Sequence, residues 1–127
     1  MARHKTPRPT DRELAILRVL WERGPSTVRQ VNEAINRDRS TGYTTTLKLM
    51  QIMAEKGLVA RDESDRTHIY TAYAGQEQTQ RELVGDLMDR AFGGSARKLV
   101  MQALAAKKVS ARELAKIKKI LDGLKGD

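Results

Sequence analysis

The sequence predicts a mainly α-helical protein with one small β-hairpin, and three observations carry that expectation. Apolar residues recur at three- and four-residue steps through most of the 127-residue chain. Three of these stretches open on Ser or Thr followed three residues later by Glu or Gln, the reciprocal cap of a helix start. One stretch alone, Thr67-His68-Ile69-Tyr70-Thr71, alternates in β-branched and aromatic residues instead.

The elements follow in order. Residues 1–9 hold Arg3, Lys5 and Arg8 with no acid, two of the three prolines and no period, which reads as a flexible basic arm. Thr10 and Glu13 then cap a helix with Leu14, Leu17, Val19, Leu20 and Trp21 on its apolar side, stopped by Gly24-Pro25. Thr27 and Gln30 cap a short second helix carrying Val28, Val31, Ala34 and Ile35. A third runs from Tyr43 or Thr44 to Lys56, burying Leu47, Leu49, Met50, Met53 and Ala54, with Gly57 as its stop. Leu58-Val59-Ala60-Arg61 and residues 67–71 form a hairpin around the charged turn 62–66. Two strands alone are marginal, so the hairpin must lean on the helices before it. Beyond Gly75 the chain returns to helix: Glu77 to Phe92, a second segment from Ser95, and a last one capped by Ser110 and Glu113.

Composition narrows the function. Lys and Arg number 24 against 16 Asp and Glu, a net charge of +8, and the balance is uneven. Residues 10–94 are nearly neutral, whereas 95–127 hold nine basic side chains against three acidic ones. Such a chain attracts polyanions, although a lysine-rich helix is as readily a solvated face. Cysteine is absent, which excludes disulfides, thiolate metal sites and cysteine nucleophiles. The two histidines, His4 and His68, have no ligand partner at metal-binding spacing, and no cofactor is expected. With aromatics at 4%, no phosphate loop and no paired carboxylates in a pocket, an enzyme is not expected. Apolar runs such as Leu14 to Leu17 are far too short for a membrane span, and no secretory h-region opens the chain. The expected location is cytoplasmic.

Three helices followed by a hairpin is the order of a winged helix-turn-helix, in which the third helix enters the major groove and the wing touches the backbone. The third helix opens on Thr41, Gly42, Tyr43, Thr44, Thr45, Thr46 and Lys48, where a purely structural helix favours stronger helix formers. Threonine and lysine there suit hydrogen bonds to bases and phosphates.

The ordered set Glu13-Leu14-x-Ile16-Leu17-x-x-Leu20-Trp21, Thr27-Val28-Arg29-x-Val31, Tyr43-Thr44-Thr45, Lys56-Gly57-Leu58-Val59 and Phe92-Gly93-Gly94-Ser95 resembles the BlaI/MecI/CopY family of penicillinase-repressor type regulators. The resemblance covers about residues 10–124. It implies a homodimeric repressor whose winged domain binds a palindromic operator in duplex DNA. It further implies base contacts from Tyr43, Thr44, Thr45 and Lys48, phosphate contacts near Thr27 and Arg29, and wing contacts from Arg66 and His68. The domains are then an arm over 1–9, the winged helix-turn-helix over 10–75 and a helical dimerisation region over 76–127. The dimer seam falls on Leu83, Leu87, Leu99, Val100, Leu104, Leu114, Ile117, Ile120 and Leu121.

Two departures matter. Copper-responsive members carry a C-terminal cysteine cluster that this chain lacks. The β-lactam-responsive members are cut at an Asn-Phe bond, and the corresponding pair here is Gln102-Ala103, which leaves a membrane sensor protease as partner an open matter. Two other readings of the sequence stand beside the repressor: a nonspecific, nucleoid-type DNA binder using the basic C-terminal segment, and a winged-helix module for protein interaction.

Overall fold

The computed structural model describes residues 8–37, 40–106 and 108–125; the expected arm up to residue 7, with Arg3, His4 and Lys5, lies outside them. Six helices and one hairpin follow in chain order: α1 (Asp11–Arg23), α2 (Val28–Ile35), α3 (Tyr43–Lys56), β1 (Val59–Asp62), β2 (Ile69–Ala72), α4 (Gln76–Ala91), α5 (Ala96–Ala106) and α6 (Ala111–Lys125). The chain divides into two compact units, Met1–Leu83 and Val84–Asp127, and the division falls inside α4.

Local chemistry sets the helix starts. At α1 the Thr10 hydroxyl accepts from the Glu13 amide at 3.2 Å, and the Glu13 carboxylate accepts from the Thr10 amide at 2.9 Å. Thr27 and Gln30 repeat the exchange at α2, at 3.1 and 2.9 Å. At α6 the Ser110 hydroxyl accepts from the Glu113 amide at 3.0 Å. The end of α3 is equally local. Gly57 turns left-handed at φ 83°, a conformation glycine adopts without a Cβ clash, and its amide reaches back to the last carbonyls of the helix.

Leu58 is drawn into that stop, its amide donating to the Met53 carbonyl at 2.9 Å. The first strand therefore begins one residue later than expected and the second two residues later, leaving Thr67 and His68 outside the ladder, which pairs Val59 with Ala72 through Asp62 with Ile69 in antiparallel register. The hairpin gains support that the sequence did not announce. Ser26, fully buried between α1 and α2, exchanges hydrogen bonds with Tyr70 at 3.0 and 2.8 Å, acting as a one-residue third strand.

The core joins Ile16, Leu17 and Leu20 of α1, Val28 and Val31 of α2, Met50 and Met53 of α3, and Leu58, Val59 and Tyr70 around the hairpin. Trp21, expected inside, is half-buried at its edge, because its indole N–H reaches out to the Ala74 carbonyl at 2.8 Å. Leu14 is likewise half-buried, and Ile16 takes the central position on α1. Glu13 is 2% exposed and meets the Lys56 ammonium at 2.9 Å, tying the first turn of α1 to the last turn of α3.

The C-terminal unit differs in kind. Among the described side chains of α5 and α6 none is buried. Leu87, Val100, Leu104, Leu114, Ile120 and Leu121 are exposed, and Leu99 and Ile117 are half-buried, as is Leu83 at the end of the first unit. Gly93 and Gly94, both at positive φ, separate α4 from α5. Among the described residues no helix is long and apolar enough to cross a membrane.

Candidate nucleic-acid interface

Helix α3 is amphipathic in a way that sorts its own threonines. Thr46, Met50 and Met53 point into the core at four- and three-residue steps, while Tyr43, Thr44, Thr45 and Lys48 face outward. Thr46, counted with the polar cluster that opens the helix but not among the four expected base contacts, therefore turns away from them. It is fully buried, and its hydroxyl accepts from the Asn32 side-chain amide at 2.8 Å. The polar identity that suggested a base contact serves a satisfied core hydrogen bond.

That bond belongs to a chain of side chains that sets the approach to α3. The Asn32 amide also donates to the Thr41 carbonyl at 2.9 Å, the Asn36 amide donates to the Asn32 carbonyl at 3.3 Å, and the Asn36 carbonyl accepts from the Thr41 amide at 2.6 Å. Two asparagines one helical turn apart, Asn32 in α2 and Asn36 at its C-cap, thus hold Thr41 just before α3 and the first buried residue of α3. Sequence reading missed both, since asparagine in a polar run signals only a turn.

The outer face of α3 meets α2 and the wing at one surface groove. Thr27, Arg29, Tyr43, Arg66 and His68 line it together with Gln30 and Thr67, and its volume is about 540 Å³. The Arg29 guanidinium lies 6.0 Å from the centre of the Tyr43 ring, the outer limit of a cation–π contact. Thr27 serves first as the α2 cap, and its hydroxyl proton is left to donate. Thr44, Thr45 and Lys48 stand on the exposed face of α3 outside the groove lining. Gln30 and Thr67 were not anticipated; the cap role of Gln30 hid its place beside the groove.

The acids of the wing are largely occupied. Asp62 accepts from the Ser64 hydroxyl at 2.7 Å and from its amide at 2.9 Å, which holds its carboxyl below the ordinary value. Glu63 pairs with Arg61 at 2.8 Å. Arg66 is exposed and makes no ion pair among the described residues. The surface thus offers three outward cations, Arg29, Lys48 and Arg66, with hydroxyl donors between them. That chemistry suits phosphate oxygens and base edges. Among the described residues no His, Asp or Glu cluster could hold a metal ion.

Comparison with known proteins gives a consistent result. The profile of the Penicillinase repressor family matches residues 9–123. The "Transcriptional regulator BlaI" of Mycobacterium tuberculosis is 35% identical over 98 residues, covering 76% of this chain and 71% of that one. The "Penicillinase repressor" of Bacillus licheniformis is 19% identical over 118 residues, covering 93% and 92%. Among solved structures, the DNA binding domain of the repressor BlaI, determined in solution, superposes with a TM-score of 0.51 at 19% identity, covering 58% of this chain and 90% of that one. The last likeness concerns the fold.

Proposed function

The chain belongs to the penicillinase repressor family, a family of transcriptional repressors rather than enzymes, and from that premise we propose that it is a homodimeric repressor of a palindromic operator. Residues 10–75 read the DNA and residues 76–127 join two copies. Tyr43, Thr44, Thr45 and Lys48 meet base edges, Thr27 and Arg29 meet phosphate at the start of α2, and Arg66 and His68 meet the backbone from the wing. The observation that supports this reading best is convergence: residues from α2, α3 and the wing surround one groove, beside an α3 face of hydroxyls and one lysine.

Dimerisation is supported by what the C-terminal unit leaves uncovered. Leu114, Ile120, Leu121 and Leu124 of α6 are 45, 65, 55 and 73% exposed, and water-facing leucine and isoleucine at this density mark an interface. A two-fold dimer uses one patch on both copies, and its operator mirrors that symmetry. The Gln102-Ala103 pair stands exposed within α5 and lacks the Asn-Phe of β-lactam-responsive relatives. DNA binding as proposed does not depend on that bond.

The test is selection of bound sites from a random duplex pool, followed by affinity measurement on the selected site. The expected motif is two-fold symmetric, with half-sites about one helical turn apart or a little more. Thr45→Ala and Lys48→Ala are expected to weaken binding to it, by about 1–3 kcal/mol where the side chain meets a base edge. An asymmetric motif would overturn the two-fold reading, and unchanged affinity in both variants would remove the third helix from the base contacts.

A further inference from the structure

The cationic excess of the chain and its base-reading face lie in different parts of the sequence. Residues 10–94 hold twelve basic and thirteen acidic side chains, while 95–127 carry nine basic against three acidic. A duplex-binding protein draws most of its sequence-independent affinity from phosphate neutralisation, for which the winged unit, near-neutral overall, offers Arg29, Lys48 and Arg66.

Helix α6 organises part of the excess. Arg112, Lys116 and Lys119 follow at four- and three-residue steps and stack along one face, on which Ala115 and Gly123 are the other residues. Leu114, Ile117, Leu121 and Leu124 form the opposite face. The three cations are exposed and make no ion pair among the described residues. Like charges at these spacings repel and weaken a helix. A packing role for the apolar face does not require them, since any polar side chain would keep the far face wet.

We propose that this stripe is a second DNA contact: Arg112, Lys116 and Lys119 bind the phosphates of duplex DNA without regard to sequence and supply a large part of the protein's salt-dependent affinity. The inference rests on the reading of the winged unit as the base-reading part, and assigns to the dimerisation region a share of the binding. The stripe holds the repressor on any duplex, and the α3 face chooses where it stops.

The experiment is a titration of the full chain with a random-sequence duplex over a range of KCl concentrations, read by fluorescence anisotropy. The variant Arg112→Gln/Lys116→Gln/Lys119→Gln keeps good helix formers on an exposed face. It is expected to lower the slope of log K against log [KCl] by about 2–3 units for each protomer whose stripe meets the duplex, at roughly 0.9 for each phosphate no longer neutralised. A charge-preserving variant, Arg112→Lys/Lys116→Arg/Lys119→Arg, is expected to keep the wild-type slope. Equal slopes in wild type and the glutamine variant overturn the stripe while leaving the winged reading intact. A slope that falls in the charge-preserving variant as well overturns it by making the residues structural. Equal affinity for polyglutamate and duplex at the same salt overturns it in favour of an acidic protein partner. A wild-type chain that binds no duplex overturns this inference and the reading beneath it together.

Discussion

Glu13 carries more than its place in a helix cap. Burial pushes its carboxyl upward, but the Thr10 amide, the Lys56 ammonium and the Thr10 hydroxyl more than offset this, holding it below the ordinary carboxylate value. A carboxyl depressed in the native state adds stability that is complete above its unfolded pKa and is lost as pH falls through the native one. Lys56→Met strands the 2%-exposed carboxylate without its cation. The expected loss at neutral pH is about 1–3 kcal/mol, below that of a fully desolvated pair because Lys56 keeps 33% of its side-chain exposure. Urea unfolding at neutral pH and again well below the ordinary carboxylate range checks it. The gap between wild type and variant should narrow in acid, and an equal gap at both would show that the charge contributes nothing.

At the scale of elements, the turn into α3 is the part most dependent on side-chain hydrogen bonds. Asn32→Leu removes the donor to a fully buried hydroxyl at Thr46 and to the Thr41 carbonyl, so a loss of about 1–3 kcal/mol is expected for each buried group left unpaired. Adding Thr46→Val should recover part of it, since removing both partners is cheaper than removing one. A double-mutant cycle in thermal unfolding measures the coupling, and strict additivity would contradict it.

The same region marks the limit of sequence reading. The starts of α1 and α2 and the stop at Gly57 were legible because each is fixed by residues three or four apart. The Glu13–Lys56 pair, 43 residues apart, and the Ser26–Tyr70 bridge were not, because nothing local distinguishes a serine or lysine that will find a distant partner. The inward turn of Thr46 was not legible for a related reason. Three consecutive threonines look alike until the packing of α3 decides which one turns inward.

At the scale of the molecule, every described buried side chain lies between Glu13 and Thr79, so the winged unit contains its own core. Truncation after Gly94 is expected to leave a cooperatively folded monomer with weakened operator binding. Sedimentation equilibrium and thermal unfolding of the truncated chain check both halves of that statement. Dimerisation persisting at micromolar concentration would move the interface out of α5 and α6. The full chain should instead unfold with a midpoint that rises with protein concentration, as association linkage requires.

The exchange between Ser26 and Tyr70 has one more effect. Thr27 follows Ser26 directly, and His68 lies two residues before Tyr70, so the foot of the second helix and the base of the wing are clamped at a fixed gauge. On the duplex proposed for this surface the two would act as the jaws of a locked calliper. Tracts whose grooves already match the opening would then be gripped without distortion and others would have to bend, which would make DNA stiffness part of target choice at base pairs no side chain touches.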